Sequence, residues 1–122
     1  MEMTLRFEIF PHDLEATVDF YTRVLRFVVV KDQRDEPQAY VYLRRGEVRV
    51  GVLRSEVPDL PAERFPPSGV ELVLEVDDVA GERDRVLSAG WPLEVDLQDR
   101  PWGLTDFRIL DPSGYYLRIT GR

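Results

Sequence analysis

The sequence predicts an α+β fold in which two βαβββ modules follow one another within a single domain of 122 residues. Three observations lead there. Short segments with the alternation or the β-branched content of strands recur along the chain. Two other segments carry apolar residues at the three- and four-residue spacing of an amphipathic helix. A proline-rich stretch separates two halves, and the order strand, helix, strand, strand, strand occurs in each. The expected organisation is a first module at 4–54, a connector at 55–69 and a second module at 70–121. The pattern alone leaves open an α+β meander without duplication.

In the first half, Thr4–Phe10 alternates apolar and polar residues as a half-buried strand does. Pro11-His12-Asp13 breaks the alternation, and Asp13 is placed to cap a helix. Leu14, Val18, Tyr21 and Leu25 then form one helical stripe. Phe27–Lys31 contains three consecutive valines and reads as a strand. Ala39–Leu43 and Glu47–Leu53 form a hairpin about Arg44-Arg45-Gly46. The connector holds Pro58, Pro61, Pro66, Pro67 and Gly69. In the second half, Val70–Val76 is a strand, and Val79, Arg83, Val86 and Leu87 line one side of a helix that Asp77-Asp78 caps and Gly90 ends. Pro92–Asp96 is the next strand. Asp106–Leu110 and Tyr115–Thr120 close the module around Asp111-Pro112-Ser113-Gly114, a turn whose proline and glycine set its dihedral angles.

Composition excludes whole classes of function. Acidic residues outnumber basic ones 23 to 16, a net charge of −7. Residues 1–61 carry nine basic and eleven acidic side chains, and residues 62–122 carry seven and twelve, so neither half is basic. Nucleic acid and anionic membrane surfaces are therefore not expected partners. No apolar run approaches the roughly 20 residues that span a bilayer. The N-terminus enters patterned sequence without a signal-peptide core, so a cytoplasmic location is expected. Cysteine is absent and His12 is the single histidine. Disulfides, thiolate zinc sites and histidine-rich metal sites are thereby excluded within one chain. His12 itself is read as a solvated or capping residue.

Period-two alternation also sorts the strand residues into two faces. The aliphatic set, Leu5, Phe7 and Ile9 in the first strand and Val70, Leu72, Leu74 and Val76 in its counterpart, is expected to face the helices. The opposite set then comprises Arg6, Glu8 and Phe10, Tyr40 and Tyr42, Arg49, Gly51 and Leu53, Glu71, Val73 and Glu75, Asp106, Arg108 and Leu110, and Tyr116, Arg118 and Thr120. Alternating arginine and glutamate beside tyrosine suits a polar or zwitterionic ligand with a flat ring: aromatic faces stack and charges orient. The competing reading is that Arg6, Glu71 and Arg118 pair with one another as structural ions. Trp102 is either a hydrophobic plug or a stacking wall, Gly103 supplies a conformation closed to other residues, and Trp91 is expected in the core.

Two stretches, Val18-Asp19-Phe20-Tyr21-Thr22-Arg23-Val24-Leu25-Arg26-Phe27 and Pro101-Trp102-Gly103-Leu104-Thr105-Asp106-Phe107 with Asp111-Pro112-Ser113-Gly114, resemble signatures of the vicinal oxygen chelate superfamily. This superfamily comprises glyoxalases, extradiol dioxygenases and bleomycin-resistance proteins. Arg26 stands where the signature has glycine, and the Pro-Trp-Gly element is most similar to the bleomycin-resistance branch. The resemblance implies a curved mixed sheet shaped as a cup, a homodimer and, in the metal-dependent members, metal ligands at positions that fall here on Arg6, Gly51, Glu71 and Arg118. Only Glu71 is a metal donor; guanidinium has no acceptor and stays protonated. The expectation is a metal-independent, cofactor-free binder of an antibiotic-like aromatic molecule, with Arg6, Tyr40, Tyr42, Glu71, Trp102, Gly103 and Arg118 at the ligand. The alternative is a lyase, isomerase or dioxygenase-type enzyme of the same fold. In it Glu71 or Glu75 would be the base and Arg6 or Arg118 would stabilise an oxyanion.

Overall fold

The alternating segment at the start of the chain becomes strand β1, Arg6–Ile9, and each later segment finds its place in one of two α+β units. The computed structural model describes residues 1–59 and 69–122, and the chain divides into units Met1–Asp59 and Leu60–Arg122. Pro61, Pro66 and Pro67 of the expected connector lie outside the described residues.

In unit 1, β1 is followed by helix α1, Leu14–Asp19, a π-helical turn, Phe20–Val24, and strands β2, Val28–Gln33, β3, Tyr40–Arg45, and β4, Val48–Leu53. The sheet order is β1-β4-β3-β2, with β1 parallel to β4 and the other pairs antiparallel. Asp13 caps α1 as expected, its carboxylate accepting from the Ala16 amide at 3.0 Å. The stripe Leu14, Val18, Tyr21 and Leu25 is fully buried against Ile9, Val41, Leu43, Val50 and Val52. Burial of each large apolar side chain is worth about 1.5–3 kcal/mol. The helix does not stay α-helical to Leu25. The Leu25 amide donates to the Phe20 carbonyl, five residues back, at 3.2 Å. That wider turn brings two consecutive pairs, Phe20-Tyr21 and Val24-Leu25, into the core. Tyr21 packs edge-on between Phe20 and Phe27, with ring centres 5.0 and 5.7 Å apart.

Unit 2 repeats the topology with β5, Leu72–Glu75, α2, Val79–Ser88, β6, Val95–Asp99, β7, Thr105–Leu110, and β8, Tyr116–Thr120. Its order, β5-β8-β7-β6, again sets the first strand parallel to the last. Asp78 caps α2 through the Gly81 amide at 3.0 Å, while Asp77 pairs with Arg122 at 2.9 Å. The Asp111 carboxylate accepts from the Ser113 and Tyr115 amides, both at 2.9 Å, which fixes the last hairpin.

Five expectations need correction. The strand placed at Pro92–Asp96 forms at Val95–Asp99, because proline has no N–H for a ladder and the pairing with β7 starts at Val95. Leu5 and Val70 are 78% exposed, since the ladders begin after them, at Arg6 and Leu72. Leu87 is exposed, and α2 buries Glu82 instead, at 0% exposure. Trp102 is no plug: it is 59% exposed in the turn before β7. Trp91, expected in the core, is half-buried, its indole N–H donating to the Leu110 carbonyl at 2.8 Å. His12 is exposed, with its Nδ1 3.1 Å from the Ser55 carbonyl.

Candidate functional site

The sheet face of unit 1 opposite α1 is built from alternate residues of four strands. Glu8 lies opposite Gly51, which lies opposite Tyr42; Tyr40 lies between Leu53 and Gln33. An Arg6 Nη2 sits 3.2 Å from the Glu8 carboxylate, and its guanidinium lies 5.9 Å from the centre of the Tyr42 ring. The Tyr40 hydroxyl and the Glu8 carboxylate both lie over Gly51. Burial, followed by the Glu8 charge, pushes the Tyr40 phenol above its ordinary value near 10. Gly51 makes this arrangement possible. A Cβ there would fall on the Glu8 carboxylate and come within 2.5 Å of the Tyr40 hydroxyl.

Beside this cluster a crevice of about 630 Å³ opens, lined by Gln33, Glu36, Pro37, Gln38, Tyr40 and Leu53. Its volume falls in the ordinary range of small-molecule sites. The β2–β3 connection forms one of its walls. Tyr40 belongs to both the crevice wall and the Glu8 cluster.

The corresponding face of unit 2 is more highly charged. Asp106, 1% exposed, accepts from Arg100 Nε at 3.1 Å and from Arg100 Nη2 at 2.9 Å. This pairing raises the Arg100 guanidinium above its ordinary value. Arg108 donates from Nη1 to the Tyr116 hydroxyl at 2.9 Å, and Arg118 Nη1 sits 3.0 Å from Glu71. Gly103 adopts φ +91 in an exposed turn held by the Gly103 amide on the Arg100 carbonyl at 3.0 Å.

Of the residues expected at a ligand, Arg6 and Tyr42 meet in unit 1 with Tyr40 on the same face, and Glu71 and Arg118 meet in unit 2. Trp102 and Gly103 stand in the turn that follows Arg100. Residue patterning did not single out Arg100 or the partnership of Asp106 with it. That contact spans a turn, whereas alternation names faces and not partners. Nor do the residues suit a divalent ion. Of Arg6, Gly51, Glu71 and Arg118, only Glu71 is a donor, and Arg118 engages its carboxylate. Among the described residues no group of three or more His, Cys, Asp or Glu side chains is placed to hold a metal.

Two duplicated βαβββ units with polar, aromatic faces define the class of protein. The chain belongs to the Glyoxalase/Bleomycin resistance protein/Dioxygenase superfamily, whose family model matches residues 4–119. Among solved structures it is similar to TioX from Micromonospora sp. ML1, at 24% identity over 98% of both chains with a TM-score of 0.79. It is also similar to TnmS3, an antibiotic binding protein from Streptomyces sp. CB03234, at 21% identity over 99% of this chain and 96% of that one, TM-score 0.71. A glyoxalase/bleomycin resistance protein/dioxygenase from Nocardioides matches at 19% identity over 99% and 83%, TM-score 0.73. At these identities the likeness is one of fold. No curated protein sequence matches. Among the described residues no helix is long and apolar enough to cross a membrane.

Proposed function

We propose that this protein binds a polar aromatic small molecule of the antibiotic type and sequesters it unchanged, without a metal ion. The observation that carries the reading is the unit 1 crevice of about 630 Å³ walled by Tyr40, next to the Arg6–Glu8–Tyr42 cluster. Aromatic faces there stack on a flat ring, and the flanking charges and amides orient its substituents. The proposed contacts are Arg6, Tyr40 and Tyr42 on the unit 1 face and Glu71, Trp102, Gly103 and Arg118 on unit 2, each unit taken by itself; the exposed Trp102 serves as a stacking wall. Antibiotic binding by a relative of this fold, TnmS3, supports the reading. Metal independence is supported by the donor chemistry described above. We also propose a cytoplasmic homodimer, which the exposed Val28, Val29 and Val30 on the edge strand β2 support.

A thermal-shift screen of aromatic natural products, bleomycin included, against metal-free protein tests this function. A ligand at a hundredfold excess over its Kd adds about 2.7 kcal/mol of apparent stability. Tyr40→Ala is expected to abolish the shift for a crevice ligand, and mass spectrometry should recover that ligand intact. Recovery of a chemically altered ligand, or binding only with stoichiometric metal, sinks the sequestration reading.

A further inference from the structure

On the unit 2 face, β7 and β8 set Arg108 directly opposite Arg118, with Val95 beside the first and Val73 beside the second. Like charges directly opposed across a sheet repel one another, and the arrangement needs acceptors close by. Acceptors are short here. Asp106 is taken up by Arg100, and its distance to Arg108 Nε is 3.8 Å, beyond hydrogen-bond reach. Glu71 pairs with Arg118 Nη1 at 3.0 Å, and Tyr116 accepts from Arg108 Nη1. The Nε atoms of Arg108 and Arg118 are both buried and both lack a hydrogen-bond partner. Glu75, the remaining carboxylate of this face, is exposed and sits level with Thr120.

Buried donors of a purely structural ion network are normally satisfied. Two adjacent guanidinium groups with the same orphaned atom point to a group that arrives from outside. We propose that the Arg108–Arg118 pair is a subsite on the unit 2 face for an oxyanion, the carboxylate or phosphate of a small molecule. This rests on the small-molecule reading and names the charge carried by a ligand of that face. The planar N–H fork of arginine matches the two oxygens of such groups. The side chains keep 20% and 25% of their surface exposed, so a solute reaches them. Val73 and Val95 offer apolar flanks for the carrier of the charge. The overall charge of −7 opposes an anion only at long range, where salt screens it within about 8 Å at physiological ionic strength.

Three probes decide the matter: 2-naphthoate, the neutral 2-naphthalenemethanol and inorganic phosphate, each titrated by calorimetry and by NMR of the arginine Nε–Hε resonances. The expected result is saturable binding of naphthoate that moves the Arg108 and Arg118 resonances, with the alcohol at least tenfold weaker. Arg108→Gln should weaken naphthoate about tenfold or more. Arg108→Lys, which keeps the charge and loses the fork, should weaken it as well. The wild-type NMR arm stands even where a variant fails to fold. Phosphate moving those resonances without naphthoate supports the oxyanion subsite and assigns it to a free inorganic anion. Equal affinity for naphthoate and the alcohol, or unmoved Nε resonances, overturns the subsite and leaves the small-molecule reading intact. If none of these probes and no natural product binds, both fall.

Discussion

Units 1 and 2 share a topology and differ in what they bury. Unit 1 packs α1 and its π-helical turn onto the sheet with Phe20, Tyr21 and Phe27 in edge-on contact, while α2 of unit 2 buries Val86 and the carboxylate Glu82. The opposite faces differ in a complementary way. In unit 1 the Arg6–Glu8 pair is half-exposed beside two tyrosines and a glycine. Unit 2 has Asp106 buried under Arg100, with Arg108 and Arg118 nearby. A duplicated scaffold thus holds, in unit 1, a core ordered by ring packing and, in unit 2, an open face ordered by buried charge. Substitutions of equivalent chemistry should therefore have unequal effects in the two units.

The largest difference is expected between Asp106→Ala and Glu8→Ala. Removing Asp106 leaves Arg100 and its neighbours without a buried counter-charge, and such a loss typically costs about 3–5 kcal/mol. Glu8 is about a third exposed, and water takes over much of its role, so Glu8→Ala should cost no more than about 1 kcal/mol. Urea denaturation of both variants measures the gap. Equal losses would mean that the two faces do not differ as the burial of their carboxylates indicates.

Much of this contrast is legible in the residues, and the illegible part has a physical cause. Alternation correctly turns Phe107, Ile109, Leu117 and Ile119 to the core and groups Arg108 with Arg118 on the other face. It works because a strand places alternate side chains on opposite sides whatever the tertiary contacts. It fails at strand ends, where Leu5 and Val70 precede the ladder and lose their cover. An apolar stripe does not name Glu82, although it lies three residues after Val79 and four before Val86, on the stripe itself. The bond between Arg100 and Asp106 and the crevice at Gln33–Tyr40 both depend on how a loop returns to the sheet. That return is set by tertiary contact, which periodicity does not encode.

The helix ends allow a finer comparison. In unit 2 the chain leaves α2 through Gly90 at φ +82, with the Trp91 amide donating to the Val86 carbonyl at 3.2 Å. In unit 1 the equivalent bond runs from the Phe27 amide to the Tyr21 carbonyl at 2.8 Å, but the left-handed residue is Arg26 at φ +59. A side chain in that region costs roughly 1–2 kcal/mol, offset in part by the greater freedom glycine loses on folding. Arg26→Gly should therefore stabilise the protein by about 0.5–1 kcal/mol, and Gly90→Arg should destabilise it by a similar amount. Denaturation midpoints of the two variants check both signs. A destabilised Arg26→Gly would show that the arginine side chain contributes more than its backbone strain costs.

Acid sensitivity is the smallest expected effect. In unit 2, α2 is tied to β6 at the surface by Arg83, which donates from Nε and Nη2 to Asp96 at 2.9 and 2.8 Å. Those bonds, with the Leu97 amide as a further donor, hold the Asp96 carboxyl down to about 2 from its ordinary 3.8. A carboxyl lowered in the folded state favours folding when it is ionised in both states. The contribution is complete above the unfolded value near 3.8 and disappears as the pH falls through about 2. The pair is solvent-exposed, so water and salt reduce the effect. Asp96→Asn should therefore show a shallower loss of stability than wild type between about pH 4 and pH 2, with a smaller difference in added salt. Denaturation curves at several pH values over that interval measure it. If the variant and wild type lose stability in parallel, the Asp96 carboxyl titrates alike in both states and the Arg83 pair adds nothing to folding.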